Sequence, residues 1–455
     1  MKKILYIIIT LLSLTGFTTC LTLKGTYNEF SSSNVKNNIS YLSSKELKGR
    51  LPGTNENYIV ASEIEEAFED YNLKPLGNSY KQSFKVMTPI YTNEQCSMKI
   101  LDGDKIVKEF SVGKDFKEDM INFKNTSIQF TKKDKITLYQ RAISIIKDNI
   151  EYLFSVNTDN NFSFRSSFMN NSPYGFAIQI STEVFNDILD SLREGYTLDI
   201  NLPYKVEEKE VYNVVGKISG IDKSLSPLIF TAHYDHVGVD STGNIYGGAL
   251  DNASGTSFLL ELAKTYSSLK MPNRDIIFVA LNCEEFGLLG SNEFASKYKE
   301  EFKGAQVINF DMIGAKDFPI TFMGGTNNKD AKSELLNDLK AICDEKGIET
   351  LTNYQDASDH ASFINNGFDS YTISHADTSN IHTPKDTVDK ISTEAIATVY
   401  EVINCKVLDY AYNDNFLVFY NNKTLILFSI TSFGLVAVGM IEFNKKKNDN
   451  KGISA

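Results

Sequence analysis

The sequence predicts an α/β protein: a mixed, mostly parallel sheet sandwiched between helices, with a β-rich insert domain and a C-terminal transmembrane helix. Three observations predict it. From Tyr212 onward, short apolar runs alternate with helix-period segments, the pattern of strands joined through helices. The run Asp275–Asn282 is almost continuously apolar, as expected of a strand covered on both faces. Thr424–Phe443 carries one charge, Glu442, in 20 residues, long enough to cross a bilayer as a helix.

Along the chain, Met1-Lys2-Lys3 precedes the apolar run Ile4–Phe17, so residues 1–20 read as a secretory signal or an N-terminal anchor. Cys20 leaves lipidation, cleavage and retention all open. Residues 21–90 read as the first part of the main domain. Positions 34–73 are expected to be helical, with Ile59, Ile64, Ala67, Phe68 and Tyr71 on one face and Asn57 as a cap. Residues 91–204 read as an accessory insert: Ile128–Phe130 and Tyr196–Leu202 suggest strands, Thr182–Leu192 a helix, and there is no His.

The main domain resumes over 205–412. Strands are expected at Leu228–Ala232, Asp275–Asn282, Ala305–Phe310 and Asp369–Ile373, and helices at Ser254–Leu269, Ser333–Glu345 and Thr393–Tyr410. Residues 413–423 form a linker, 424–443 the membrane span and 444–455 a basic tail. Lys445, Lys446 and Lys447 directly after the span place the C-terminus in the cytoplasm and the body outside the cell membrane. A net charge of −12 argues against nucleic acid, which needs a basic face. The five cysteines are widely spaced and imply no disulfide framework.

The chemistry concentrates in the second half. All five histidines, His233, His236, His360, His375 and His382, lie there. One expected strand ends on His233-Tyr234-Asp235, the next on Cys283-Glu284-Glu285, a third on Asp311. In open α/β sheets ligands collect at the carboxyl ends of the strands. Any one such residue is more often a turn or cap residue; three together point to a metal site. Asp251 sits in the glycine-rich loop Gly247–Gly255, where an N-terminal cap is the bland alternative and close backbone approach the functional one.

In order, His233-x-Asp235, Gly248-Ala-Leu-Asp251-Asn-Ala-Ser-Gly255, Glu284-Glu285-Phe-Gly-Leu-Leu-Gly-Ser291, Asn309-Phe-Asp311-Met-Ile-Gly314, Ser358-Asp-His360-x-x-Phe363 and Ile381-His382-Thr-Pro-Lys-Asp-Thr387 resemble the co-catalytic zinc aminopeptidases, family twenty-eight of the metallopeptidases. Leu47–Thr54 resembles the family's N-terminal lead-in. The resemblance implies the zinc exopeptidase fold and two Zn²⁺ ions, one on His233 and Asp311, the other on Glu285 and His382, with Asp251 bridging. It makes Glu284 the general base and Asp235 the carboxylate that orients His233. Two imidazoles and three carboxylates are a donor set suited to Zn²⁺.

The implied function is a membrane-anchored exopeptidase that acts on peptides, releasing N-terminal amino acids by metal-activated hydroxide. Alternatives on the same fold are a carboxypeptidase or dipeptidase, a single-zinc glutaminyl-cyclase-like transferase, or a non-catalytic binding protein. His236 and His375 are expected not to be ligands, since five positions already complete the family set, and His360 is expected beside the site. Where some secreted members carry a Tyr before the last ligand His, this chain has Ile381; Tyr234 and Tyr371 are the substitute candidates for an oxyanion donor. Tyr174–Ser181, Gly195–Ile200 and Tyr212–Gly216 resemble the end of a protease-associated domain, with an unrelated insert as the alternative.

Overall fold

The structure, a computed structural model, describes residues 2–413 apart from 93, 160, 270 and 330, and residues 422–452. Leu228–His233 and Ile276–Leu281, buried along their whole length, pair in parallel inside a nine-stranded mixed sheet. Gln306–Phe310 adds in parallel on one side and Asp369–Ser374 in parallel beyond it. These four strands therefore end at the same edge. Ile320–Gly324 and Thr350–Tyr354 extend that side. On the other, the long strand Tyr204–Ile218 runs antiparallel to Ile276–Leu281 and pairs with Lys81–Tyr91.

The central strands show no apolar alternation because both faces are covered. One face packs Phe230, Phe278 and Phe310 under Phe258 of the helix Ser254–Ser267. The other packs Ile229, Ile277, Val279 and Val307 against Phe294, Tyr298 and Phe363. Helices Glu334–Lys346 and Thr393–Val407 begin under the side-chain caps Ser333 and Ser392, each satisfying a donor of the first turn. The mixed α/β sandwich is thus the expected one.

The lead-in departs from the expectation. Residues 34–73 are two helices, Ser32–Leu42 and Asn55–Asp70, broken by a turn in which Lys48, Gly49 and Arg50 all have positive φ. Thr54, not Asn57, caps the second helix. Asn57 is buried and holds Arg50 O at 3.0 Å and Asn282 Oδ1 at 3.2 Å, so a tertiary contact takes the side chain that local sequence assigns to capping.

Between Lys81–Tyr91 and Tyr204–Ile218 the chain builds a five-stranded sheet over 116–181, a four-stranded sheet over 97–201, and the helix Thr182–Glu194. These share a second core around Phe116, Phe154, Phe176 and Ile188. At the termini, helices Lys2–Thr26 and Asn422–Gly452 run antiparallel, with Tyr6 bonded to Leu435 O and Ser13 Oγ 2.9 Å from Thr431 Oγ1 and 2.8 Å from Ser432 Oγ. Both are apolar enough to cross a membrane. Of the expected linker 413–423, residues 414–421 lie outside the described residues, as do 453–455 of the tail.

Candidate metal centre

The parallel strand ends bring the ligand-type residues together. His233 is the last residue of its strand, and Asp311 directly follows Gln306–Phe310. Glu284 and Glu285 form a single tight turn just past Ile276–Leu281, entered through Cys283 at φ 62°. Asp251 lies in the irregular turn Ala249–Ala253 ahead of the helix Ser254–Ser267. That turn presses on a strand end: a Cβ on Gly255 would stand 2.3 Å from Phe310 O, so only glycine allows the approach. His382 comes from the loop after Asp369–Ser374, held at φ 53°.

Two groups result, and Asp251 belongs to both. His233 Nε2 stands 3.5 Å from Asp251 Oδ1 and 3.6 Å from Asp311 Oδ1. His382 Nε2 stands 3.2 Å from Asp251 Oδ2 and 3.0 Å from Glu285 Oε1. Each set could hold one metal ion, and the two oxygens of Asp251 are divided between them.

The donor set fits a cation. Nδ1 of His382 is 3.0 Å from Arg165 O, and Nδ1 of His233 is 3.3 Å from Asp235 O. Carbonyl oxygens only accept, so both Nδ1 atoms carry protons and both Nε2 atoms face carboxylates. His233 Nε2 and Asp311 Oδ1 are buried with no hydrogen-bond partner, although buried polar atoms almost always have one. Burial depresses the pKa of His233 and of His382, yet the surrounding carboxylates (Glu284 first for one, Glu285 for the other) lift both well above the ordinary imidazole range. The cluster draws positive charge to the two places where a metal would replace a proton.

A second layer fixes these groups. The Asp235 carboxylate lies 3.6 Å from His233 Nδ1 and accepts the backbone N–H groups of Glu284 and Glu285, both at 3.2 Å. Ser358 Oγ donates to Asp311 Oδ2 at 2.6 Å. Asp386, in the Thr-Pro-Lys-Asp-Thr motif, accepts the N–H groups of Leu250 and Asp251 at 2.8 and 3.0 Å. Arg50 is fully buried and donates to Leu42 O, Tyr234 O at 2.8 Å, Gly247 O at 2.7 Å and Gly248 O at 3.2 Å. The lead-in thereby ties the His233 strand end to the Asp251 loop. Burial, together with Glu285, Asp359 and Asp311, holds the Glu284 carboxyl well above the ordinary range, against the pull of His233. That is the direction a proton shuttle near neutral pH requires.

All six sequence-predicted residues, with Asp235, therefore meet in one place. Among the other histidines, His360 is committed to Thr372 Oγ1 at 2.8 Å and Gln355 O at 2.9 Å. His375 Nδ1 accepts Gly314 N–H at 2.9 Å. His236, expected not to be a ligand, places Nδ1 3.0 Å from Glu285 Oε1 and 4.0 Å from Asp251 Oδ2, within the same group as His382; its signal was the spacing His233-x-x-His236. Tyr234 is spent on Tyr212 O and Asn282, and Tyr371 is packed in the core.

Comparison with known proteins finds relatives for the stretch that carries this geometry. Residues 213–405 match the model of peptidase family M28. Aminopeptidase YwaD of Bacillus subtilis is 31% identical over 193 residues, 39% of this chain and 40% of that protein. A probable glutamate carboxypeptidase of Arthroderma benhamiae is 28% identical over 175 residues, 34% of this chain and 23% of that protein. The chain thus spans less than half the length of these curated relatives. Among solved structures, an aminopeptidase from Aneurinibacillus sp. strain AM-1 superposes with a TM-score of 0.58 at 22% identity, covering 84% of this chain and 94% of that one. A zinc aminopeptidase from Bacillus subtilis gives 0.56 at 17% identity, covering 84% and 96%. The matched stretch contains every residue of the metal cluster, and over residues 213–405 this chain is similar to peptidase family M28.

Proposed function

We propose that this chain is a membrane-anchored di-zinc exopeptidase that releases N-terminal amino acids from peptides outside the cell. The observation that supports it most is the division of Asp251's two oxygens between a His233–Asp311 pair and a Glu285–His382 pair. In this reading His233 and Asp311 would hold one ion and Glu285 and His382 the other, with Asp251 offering an oxygen to each. Bound there, a zinc pair supplies Lewis acidity, which lowers the pKa of water toward about 7 and polarises a scissile carbonyl.

The protein's own part follows from the contacts. Glu284 lies beside the cluster with its carboxyl raised, so it takes a proton from the attacking water and returns it to the leaving amine. Its chain neighbour Glu285 points instead at His382 and His236. Asp235 separates these duties by gripping both backbone N–H groups. The apolar helix Thr424–Lys445 supplies the anchor, and the lysines after it keep the tail cytoplasmic.

Metal analysis of the purified chain, paired with assays on free amino-acid anilides and N-blocked peptides, tests this. Two zinc ions per chain and cleavage of the free substrates are expected. Cleavage of blocked but not free substrates would reverse the polarity toward a carboxypeptidase, the activity named for the Arthroderma relative.

A further inference from the structure

We propose that the insert segment Phe164–Phe168 is a built part of the metal centre, and that Ser167 is a positioning residue for Glu285. The proposal rests on the di-zinc reading above. The segment touches both residues of the Glu285–His382 pair: Arg165 N–H donates to His382 O at 3.0 Å, Arg165 O accepts from His382 Nδ1 at 3.0 Å, and Phe168 N–H donates to Glu285 O at 2.9 Å. Ser167 Oγ donates to Glu285 Oε2 at 2.5 Å. The Phe164 ring stacks on the His382 ring at 5.8 Å.

The division of labour on Glu285 is chemical. Ser167 takes Oε2 and leaves Oε1 turned toward His382 Nε2 and His236 Nδ1, each 3.0 Å away. A hydroxyl bond to one carboxylate oxygen fixes the rotation of the group and presents the other to a metal. The segment is itself immobilised by buried groups of the insert. Phe164 O accepts from Lys117 Nζ at 2.7 Å and Gln179 Nε2 at 3.0 Å. Ser166 donates twice to Asp119. The buried Arg165 guanidinium reaches Glu118 Oε1 at 3.1 Å and Val237 O at 2.9 Å. The insert core therefore sets where two of the ligands stand.

The test is zinc titration of the metal-stripped full chain in detergent, by competition with a chromophoric chelator. Ser167→Ala is expected to weaken one of the two zinc affinities about 10–100-fold and leave the other unchanged. Ser167→Thr, which keeps the hydroxyl, is expected to restore it, and the melting temperature of the metal-free chain to stay the same in all three. Two unchanged affinities in Ser167→Ala overturn the proposal while leaving the di-zinc reading intact. An equal fall in both, or a lowered melting temperature of the metal-free variant, also overturns it by showing general loosening. A wild-type chain that takes up fewer than two ions overturns the di-zinc reading, and the proposal with it.

Discussion

Replacing Arg50 by Met removes a side chain that ties the lead-in to the His233 strand end and to the Asp251 loop. The guanidinium is fully buried and serves four carbonyls: Leu42, Tyr234, Gly247 and Gly248. Burial pulls its pKa down to about 10 while Asp235, Asp251, Asp386 and Glu285 pull the other way, so it is charged at neutral pH and balances part of their field. Met matches its length and relieves the cost of burying the charge. It also takes the Arg50 donor from the carbonyls of Leu42, Tyr234 and Gly247, while Gly248 O keeps the Ala253 N–H at 3.1 Å, at roughly 1–3 kcal/mol for each buried group left unmade. The terms are not additive, and removing one partner from a buried charged cluster costs about 3–5 kcal/mol. For a domain of this size each kcal/mol is worth about 2–4 °C, so the metal-free Arg50→Met chain is expected to melt roughly 6–20 °C lower. Arg50→Lys keeps the charge but cannot reach all four acceptors and should fall between. Calorimetry of the three chains in the presence of a chelator measures this. A drop under about 2 °C for Arg50→Met, less than 1 kcal/mol, would refute the tie.

Three other outcomes follow from the same contacts. Glu284→Gln should lose at least about 100-fold in turnover while zinc content stays unchanged; substantial residual activity would remove Glu284 from the role of base. Burial pushes His375 down to about 4 from 6.5, so its contribution to stability is complete above pH 6.5 and is lost as pH falls toward 4, by about 1.4 kcal/mol per pH unit. His375→Gln should flatten that part of the pH dependence of the urea midpoint, and an unchanged slope would mean the imidazole does not titrate there. At the termini, Ser13 meets Thr431 and Ser432, Cys20 is buried, and a Cβ on Gly16 would stand 2.5 Å from the Phe428 ring. Such small and polar contacts are how helices pair in lipid. The chain extracted from membranes is therefore expected to retain residues 1–20, and an intact mass lacking them would show a cleaved leader instead.

How far the site could be read from sequence depended on what holds each residue. His233, Glu284, Glu285 and Asp311 were legible because continuous apolar strands end on them, and parallel strands must end at one edge. Asp251 was legible through glycines that the structure shows pressed against Phe310 O and His236. His382 had no strand behind it. Its place is set by a left-handed turn, by Asp386 four residues on, and by the main chain of Arg165. Backbone donors carry no residue signature, so the same segment that made the insert look chemically empty, with no His and no dense carboxylates, could still grip Glu285 and His382. His236 was passed over for a related reason. It lies in the irregular stretch after Leu228–His233, where no periodicity reveals which side chains turn inward, although Tyr234, Asp235, His236 and Val237 are all fully buried. The helix break at 43–54 did leave a mark, Gly49 and Pro52-Gly53. What it could not convey was that Arg50 would be pulled inward, because that depends on the charge of residues some two hundred positions away. The motif residues were thus readable one strand end at a time, while the supports that orient them were set by contacts between distant segments, and it is those contacts that the substitutions at Arg50 and Ser167 probe.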